Sequence, residues 1–197
     1  MQELFYEESA LVQNAQSSTR KYNTFKSLSI LFYVLTGIWV LCFIFLYQIY
    51  LENPLFDIII FLIPTILFIV SAIIFGNFKN RFYLDYDYIF VSGNIRVSKV
   101  IKNVKRRLLI SFDTQYIEKV GLYGSKTFFK YNEVVGISKM IFTQNDIPAD
   151  NKDFYYIVAN VNGEKKLMIF ECTDLFIKNV LKFSKKTVLE EELVSKK

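Results

Sequence analysis

Six basic side chains lie within twelve residues in the second half of the chain, with no acidic residue among them. They are Arg96, Lys99, Lys102, Lys105, Arg106 and Arg107. Ammonium and guanidinium groups at this density can hold phosphoryl oxygens, and near an anionic leaflet each adds roughly 1 kcal/mol of attraction. Specific recognition of an anionic lipid headgroup and non-specific apposition to a membrane both fit the pattern. A nucleic-acid site is disfavoured, because aliphatic residues such as Val104 and Leu108 surround the charges where stacking aromatics would be needed.

The acidic residues form no comparable constellation. Asp85 and Asp87 are two residues apart in a predicted strand, so their side chains share one face. Nearby Lys79 and Arg81 favour a solvated ion-pair network over a catalytic carboxylate pair. The acidic loop at residues 144–153 lacks the glycine and the terminal glutamate of a calcium-binding EF-hand, and we interpret it as a polar surface loop.

Other residue types exclude several function classes. The chain has no histidine, which removes the commonest general base and the commonest metal ligand. Cys42 lies in an apolar run, and the distant thiol of Cys172 is expected in the core. No phosphate-binding glycine loop and no hydrolase motif occurs. The sequence therefore predicts no metal, no cofactor and no enzymatic activity.

Two uncharged apolar runs precede this part of the chain. A helix needs about 20 residues to cross a hydrocarbon core, and the runs predict transmembrane helices at 27–51 and 55–77 joined by a short loop. In a chain of 197 residues too little other protein remains to bury two helices that are apolar all round. The two helices are expected to form a membrane hairpin that is retained in the mature protein.

The orientation of the hairpin follows from its flanking charges. Three basic residues precede the first run and two follow the second, whereas the connecting loop is acidic. Since Lys and Arg near helix ends favour the cytoplasm, both termini are predicted to be cytoplasmic, with the protein in the cell membrane. Residues 1–26 are interpreted as a cytoplasmic segment that is either a short interfacial helix or a flexible lead.

Charge is divided unevenly along the chain. Residues 1–78 hold three basic and five acidic residues, whereas the remainder holds 21 basic and 14 acidic ones, a net charge of +7. The division assigns the positive charge to the soluble domain.

A soluble domain is predicted at residues 78–186, followed by a charged tail at 187–197. Short runs of β-branched and aromatic residues separated by turn residues predict about seven strands. We place them at 82–91, 95–101, 105–112, 117–123, 134–142, 154–161 and 165–170. Helical spacing of apolar residues then predicts an amphipathic helix at 174–186. Other β folds with a terminal helix also fit this order of elements.

Two segments carry a family resemblance: FYLDYDYIFVSGNIRVSKVI at 82–101 and KRRLLISFDTQYIEKVGLYG at 105–124. Together with the preceding hairpin, they resemble a family of small two-helix membrane proteins, of a kind found in clostridia, with a bacterial PH-like C-terminal domain. The resemblance implies an α+β membrane protein, with a hairpin followed by a PH-like antiparallel β-barrel capped by a C-terminal helix. It brings no catalytic residue with it.

The expected function is that of a membrane-anchored, non-enzymatic module. Its PH-like domain would bind anionic lipid headgroups, through the six basic residues, or a membrane or cytoplasmic protein partner. The alternative is an accessory subunit of a transporter or channel that packs through its transmembrane hairpin. Small residues on one helix face would favour that alternative, and Gly37, Ser71, Ala72 and Gly76 are the candidates.

Overall fold

The computed structural model describes residues 4–50, 54–102, 104–184 and 188–190. The chain divides into two compact units, one formed by residues 14–83 and the other by residues 1–13 together with 84–197. Apart from residues 188–190, the predicted charged tail lies outside the described residues.

The first unit is a pair of long helices, α1 at Ala15–Tyr50 and α2 at Pro54–Phe78, followed by a 3-10 turn at Lys79–Arg81. Helix α1 begins twelve residues before the predicted apolar span, because Asn14 caps it by accepting a hydrogen bond from the Ser17 amide at 3.1 Å. Both helices are long and apolar enough to cross a membrane, and in the most apolar stretch of each only 6% of the residues are buried.

Contacts between the two helices run antiparallel. Near one end Ser29 Oγ donates a hydrogen bond to the Ala72 carbonyl at 2.8 Å, and further along Trp39 Nε1 donates to the Phe61 carbonyl at 3.3 Å. Phe61 lies three residues before Pro64, and its carbonyl also accepts from Thr65 Oγ1 at 2.7 Å. The neighbouring helix and a hydroxyl thus supply hydrogen bonds to the backbone next to the proline.

Within its described residues, the second unit contains eight strands and two α-helices. Their bounds are β1 Phe5–Ala10, β2 Leu84–Val91, β3 Asn94–Ile101, β4 Lys105–Asp113, β5 Ile117–Leu122, α3 Lys126–Glu133, β6 Ser138–Phe142, β7 Asp153–Val161, β8 Glu164–Cys172 and α4 Asp174–Phe183. Sheet A has the order β1-β2-β3-β4, and sheet B has the order β5-β7-β8-β6.

The predicted closed antiparallel barrel is wrong. The two four-stranded sheets remain separate, and β6 pairs in parallel with β8. One reason lies at residues 126–133, which fold as α3 because Ser125 caps that helix by accepting from the Phe128 amide at 3.1 Å. The helix separates β5 from β6, and a meander with tight turns cannot continue across it.

The N-terminal residues are neither an interfacial helix nor a flexible lead. Phe5–Ala10 form β1, which pairs antiparallel with β2 so that Ala10 lies opposite Tyr86. The two long helices are therefore inserted in the chain between two strands that are hydrogen-bonded neighbours.

The core lies between the inner faces of the two sheets. Aromatic side chains dominate it: Tyr88 of β2 packs edge-on against Phe170 of β8 with ring centroids 5.2 Å apart. Helix α4 covers this core with Phe176, Ile177 and Val180, all buried. The predicted C-terminal helix is confirmed over residues 174–183, and Thr173 is its N-cap.

Candidate functional site: the basic hairpin of sheet A

Strand pairing divides the six basic residues between two faces of sheet A. Lys99 and Arg107 are register partners on β3 and β4. Arg96 and Arg106 point to the opposite face, whose neighbours on β2 include Asp85 and Asp87, since alternate residues of a strand face opposite ways. The sequence run is thus not one continuous surface.

Arg106 is neutralised within the domain. Its Nη2 lies 2.7 Å from Asp87 Oδ2 and 4.0 Å from Glu7 Oε1. Arg96 Nε donates to Asn94 Oδ1 at 3.2 Å, an interaction that leaves its charge uncompensated. The charge of Arg106 is therefore compensated largely within the domain.

The remaining cations gather at the end of the β3–β4 hairpin. We call Lys99, Lys102, Val104, Lys105 and Arg107 the basic tip. Val104 is 86% exposed at the turn, and within the described residues no carboxylate pairs with Lys99, Lys105 or Arg107. An exposed aliphatic side chain flanked by cations can enter a headgroup layer while its neighbours bind phosphates.

Asp85 and Asp87 share a face as predicted, but the predicted solvated network is wrong. Both residues are buried, with exposures of 2% and 4%. Asp87 accepts from Ser9 Oγ at 2.7 Å, and Asp85 accepts from the Val12 amide at 2.8 Å. Burial raises the pKa of Asp85, and the charge of Asp87 raises it further. Strand β1 and the residues that follow it, which were not predicted to pair here, supply these partners.

A buried network around Glu8 was also missed from the sequence. Glu8 Oε1 accepts from the Thr173 amide at 2.9 Å and lies 3.2 Å from Lys152 Nζ. Lys152 Nζ donates in turn to the Ser9 carbonyl at 2.6 Å. Because Thr173 is the N-cap of α4, a carboxylate from β1 completes the cap of a helix 165 residues away. The only sequence signal is the alternation within FYEESA, which places Glu8 on the inner face with Tyr6.

Cys172 lies in the core, as predicted, with an exposure of 0%. Burial raises the pKa of its thiol well above the ordinary value, which keeps the group protonated and unreactive.

The pairing of β1 also changes the charge assigned to the soluble part. Residues 1–13 and 84–197 together hold 19 basic and 17 acidic residues, a net charge of +2. The +7 derived from a simple cut at residue 78 therefore overstates the charge of this unit. The basic tip is distinguished by its local excess of cations and not by the net charge of the whole unit.

Comparison with known proteins places the chain in a family. Residues 12–190 match the family model described as a bacterial PH-like domain, DUF6106. No curated protein and no solved structure matches the chain. The family match covers both long helices and every element of the second unit except β1. The chain therefore belongs to the DUF6106 family of bacterial PH-like domains.

Proposed function

We propose that this protein is a membrane-anchored, non-enzymatic module whose PH-like domain binds anionic lipid headgroups through the basic tip. The observation that carries the proposal is the exposure of Val104 at the end of the β3–β4 hairpin, beside Lys99, Lys105 and Arg107, which pair with no carboxylate within the described residues. An anchor and a cationic, partly apolar turn are two independent membrane signals on one chain.

The two long helices support the anchor. Their apolar side chains are largely exposed, for example Leu41 at 58% and Leu67 at 59%, which would be unfavourable in water. Strand pairing supports a topology in which both ends of the hairpin lie on one side of the membrane, since Ala10 and Tyr86 are register partners. The basic residues that flank both helices favour the cytoplasm for that side.

Register and chain connectivity also support the role of the basic tip. Ile101, the last residue of β3, pairs with Leu84, the first residue of β2. The β3–β4 turn therefore lies at the end of sheet A at which the chain arrives from the apolar helices.

The alternative role, an accessory subunit packed through its hairpin, has less support. Ala72 is fully buried, and its carbonyl accepts the hydrogen bond from Ser29. A Cβ added at Gly76 would lie 3.2 Å from Ser29 Oγ. These small residues serve contact between α1 and α2, which leaves Gly37 and Ser71 as weak candidates for a partner helix.

A spin label at the tip tests the proposal in the full-length protein. Val104→Cys, in a Cys42→Ser background, would carry a nitroxide whose depth is measured by power saturation in nanodiscs. Cys172 is buried and should not be labelled. We expect the nitroxide to be shielded from water in nanodiscs that contain phosphatidylglycerol and exposed in nanodiscs of phosphatidylcholine alone.

Charge reversal supplies the matched comparison. Lys105→Glu with Arg107→Glu should abolish the shielding, because roughly 1 kcal/mol of attraction is lost for each cation removed. Lys178→Glu with Lys182→Glu changes the net charge equally on the exposed face of α4 and should leave the shielding intact. Equal exposure of the nitroxide in both lipid compositions would overturn the proposal.

A further inference from the structure

An open groove of about 320 Å³ lies on the outer side of sheet B, away from the basic tip residues. Aromatic and aliphatic side chains form its apolar part: Tyr123, Phe154, Ile141 and Ile169. The rings of Tyr123 and Phe154 meet edge to face, with centroids 6.1 Å apart and planes at 79°. Tyr123 is 51% exposed and Ile141 is 59% exposed, so the groove presents uncovered apolar surface.

A rigid loop forms the polar wall of this groove. Glu171 is fully buried, and its carboxylate accepts from Thr143 Oγ1, from Asn145 Nδ2 at 2.8 Å and from the Ala149 amide at 3.0 Å. No cation is paired with Glu171 within the described residues. A buried carboxylate satisfied only by the loop fixes the loop in one conformation.

The fixed loop places one exposed carboxylate at the groove. Asp146 lines it, and within the part of the chain that the structure describes Asp146 has no cationic partner. A carboxylate beside two aromatic rings and two isoleucines is complementary to a cationic group at the end of an aliphatic side chain, as in lysine or arginine. The charge would be stabilised by Asp146, and the stem would cover the isoleucines.

The edge of sheet B indicates how such a cation would be delivered. Sheet B ends on β6, which pairs with β8 on one side, and Ile141 of β6 lines the groove. The Phe142 carbonyl of β6 already accepts from the Tyr88 hydroxyl. An extended peptide added along residues 138–141 would form main-chain hydrogen bonds and direct alternate side chains toward the groove. We propose that the groove binds an arginine or lysine side chain of an extended segment in a protein partner.

Methyl resonances of the full-length protein test this proposal. Ile141 and Ile169 carry methyl groups in the groove, whereas Ile95 is buried in the core and serves as the reference. The probe is an acetylated, amidated peptide Thr-Val-Arg-Val-Thr, with a second peptide in which citrulline replaces the arginine. We expect the arginine peptide to shift the Ile141 and Ile169 methyls and to bind about two- to fivefold more tightly than the citrulline peptide, the range for an ion pair with an exposed carboxylate.

Variants of the loop distinguish recognition of the arginine charge from non-specific binding of the peptide. Asp146→Asn should remove the preference for arginine over citrulline, whereas Asp150→Asn, an exposed residue of the same loop, should preserve it. Equal binding of the two peptides would overturn the proposal. Shifts caused by phosphoethanolamine but not by the arginine peptide would overturn it in favour of a lipid headgroup.

Discussion

Asp85 and Asp87 differ in how their buried charges are compensated. Asp87 has the guanidinium of Arg106 at 2.7 Å, whereas Asp85 accepts from one backbone amide. Burial raises the pKa of Asp85, so the folded state binds a proton at this position more tightly than the unfolded chain does. The contribution of Asp85 to the free energy of unfolding is therefore fully present below the ordinary carboxyl pKa. It is lost as pH rises through the raised pKa of Asp85 in the folded state.

Asp85→Asn is predicted to raise the unfolding temperature at pH 7. The amide carries no charge to desolvate, and its oxygen can still accept from the Val12 amide. The gain over the wild type should shrink toward zero as pH falls to about 4, near the ordinary pKa of an aspartate. Calorimetry of the full-length protein between pH 4 and 8 measures this, with Asp150→Asn as the exposed comparison. A gain that is independent of pH would contradict the assignment.

At the scale of elements, β1 is held by more than its pairing with β2. Glu8 is buried between Lys152 and the N-cap of α4, whereas the neighbouring Glu7 points to the opposite face and is half exposed. Two adjacent residues of the same type thus have opposite roles. Substitutions of Glu7 and Glu8 can therefore be compared to measure how much the buried contacts of Glu8 stabilise the packing of β1.

Glu8→Ala should destabilise the domain by about 3 kcal/mol, because it leaves Lys152 without its carboxylate partner and the Thr173 amide without its acceptor. Glu7→Ala should change the free energy of unfolding by less than roughly 0.5 kcal/mol. In a Cys42→Ser background, the reaction of Cys172 with a fluorogenic maleimide on heating reports unfolding of the core. Similar losses for the two variants would contradict the proposed role of Glu8.

Some elements could be predicted from the sequence and others could not. Strands β2, β3, β4, β7 and β8 and helix α4 follow from local alternation and turn residues, which act over a few neighbours. Strand β1 was missed because FYEESA is too short and polar to identify alone, and its partner β2 is about 75 residues away. The burial of Asp85 was missed for the same reason, since its partner Val12 follows β1. The neutralisation of Arg106 by Asp87 was missed because it depends on the exact register of β2, β3 and β4.

At the scale of the whole molecule, the boundary between anchor and domain is not a single point in the sequence. The domain needs residues on both sides of the helical hairpin, because β1 precedes α1 and β2 follows α2. A fragment that begins at residue 78 would lack β1 and with it the carboxylate of Glu8. Experiments on the domain therefore require the full chain or a direct connection of β1 to β2.

Both flanks of the hairpin are predicted to face the same compartment. Leu11→Cys and Tyr116→Cys are at exposed positions of the domain, and each can be made in a Cys42→Ser background. A membrane-impermeant maleimide should label both in inverted bacterial vesicles and neither in intact spheroplasts, because the flanking cations favour the cytoplasm. A permeant maleimide controls for reactivity. Labelling of the two positions from opposite sides of the membrane would contradict the pairing of β1 with β2 in the membrane-bound protein.

The insertion of the helices between β1 and β2 has a consequence for biosynthesis. The ribosome completes β1 first, and more than 70 residues must follow before β2 emerges to pair with it. A flexible loop of that length would slow the meeting of its ends. The helical hairpin shortens the search, because Phe25 near the start of α1 stacks on Phe82 after α2 with ring centroids 4.7 Å apart. Under the proposed membrane anchoring, insertion of the hairpin into the bilayer would hold its two ends close together and so favour the pairing of β1 with β2.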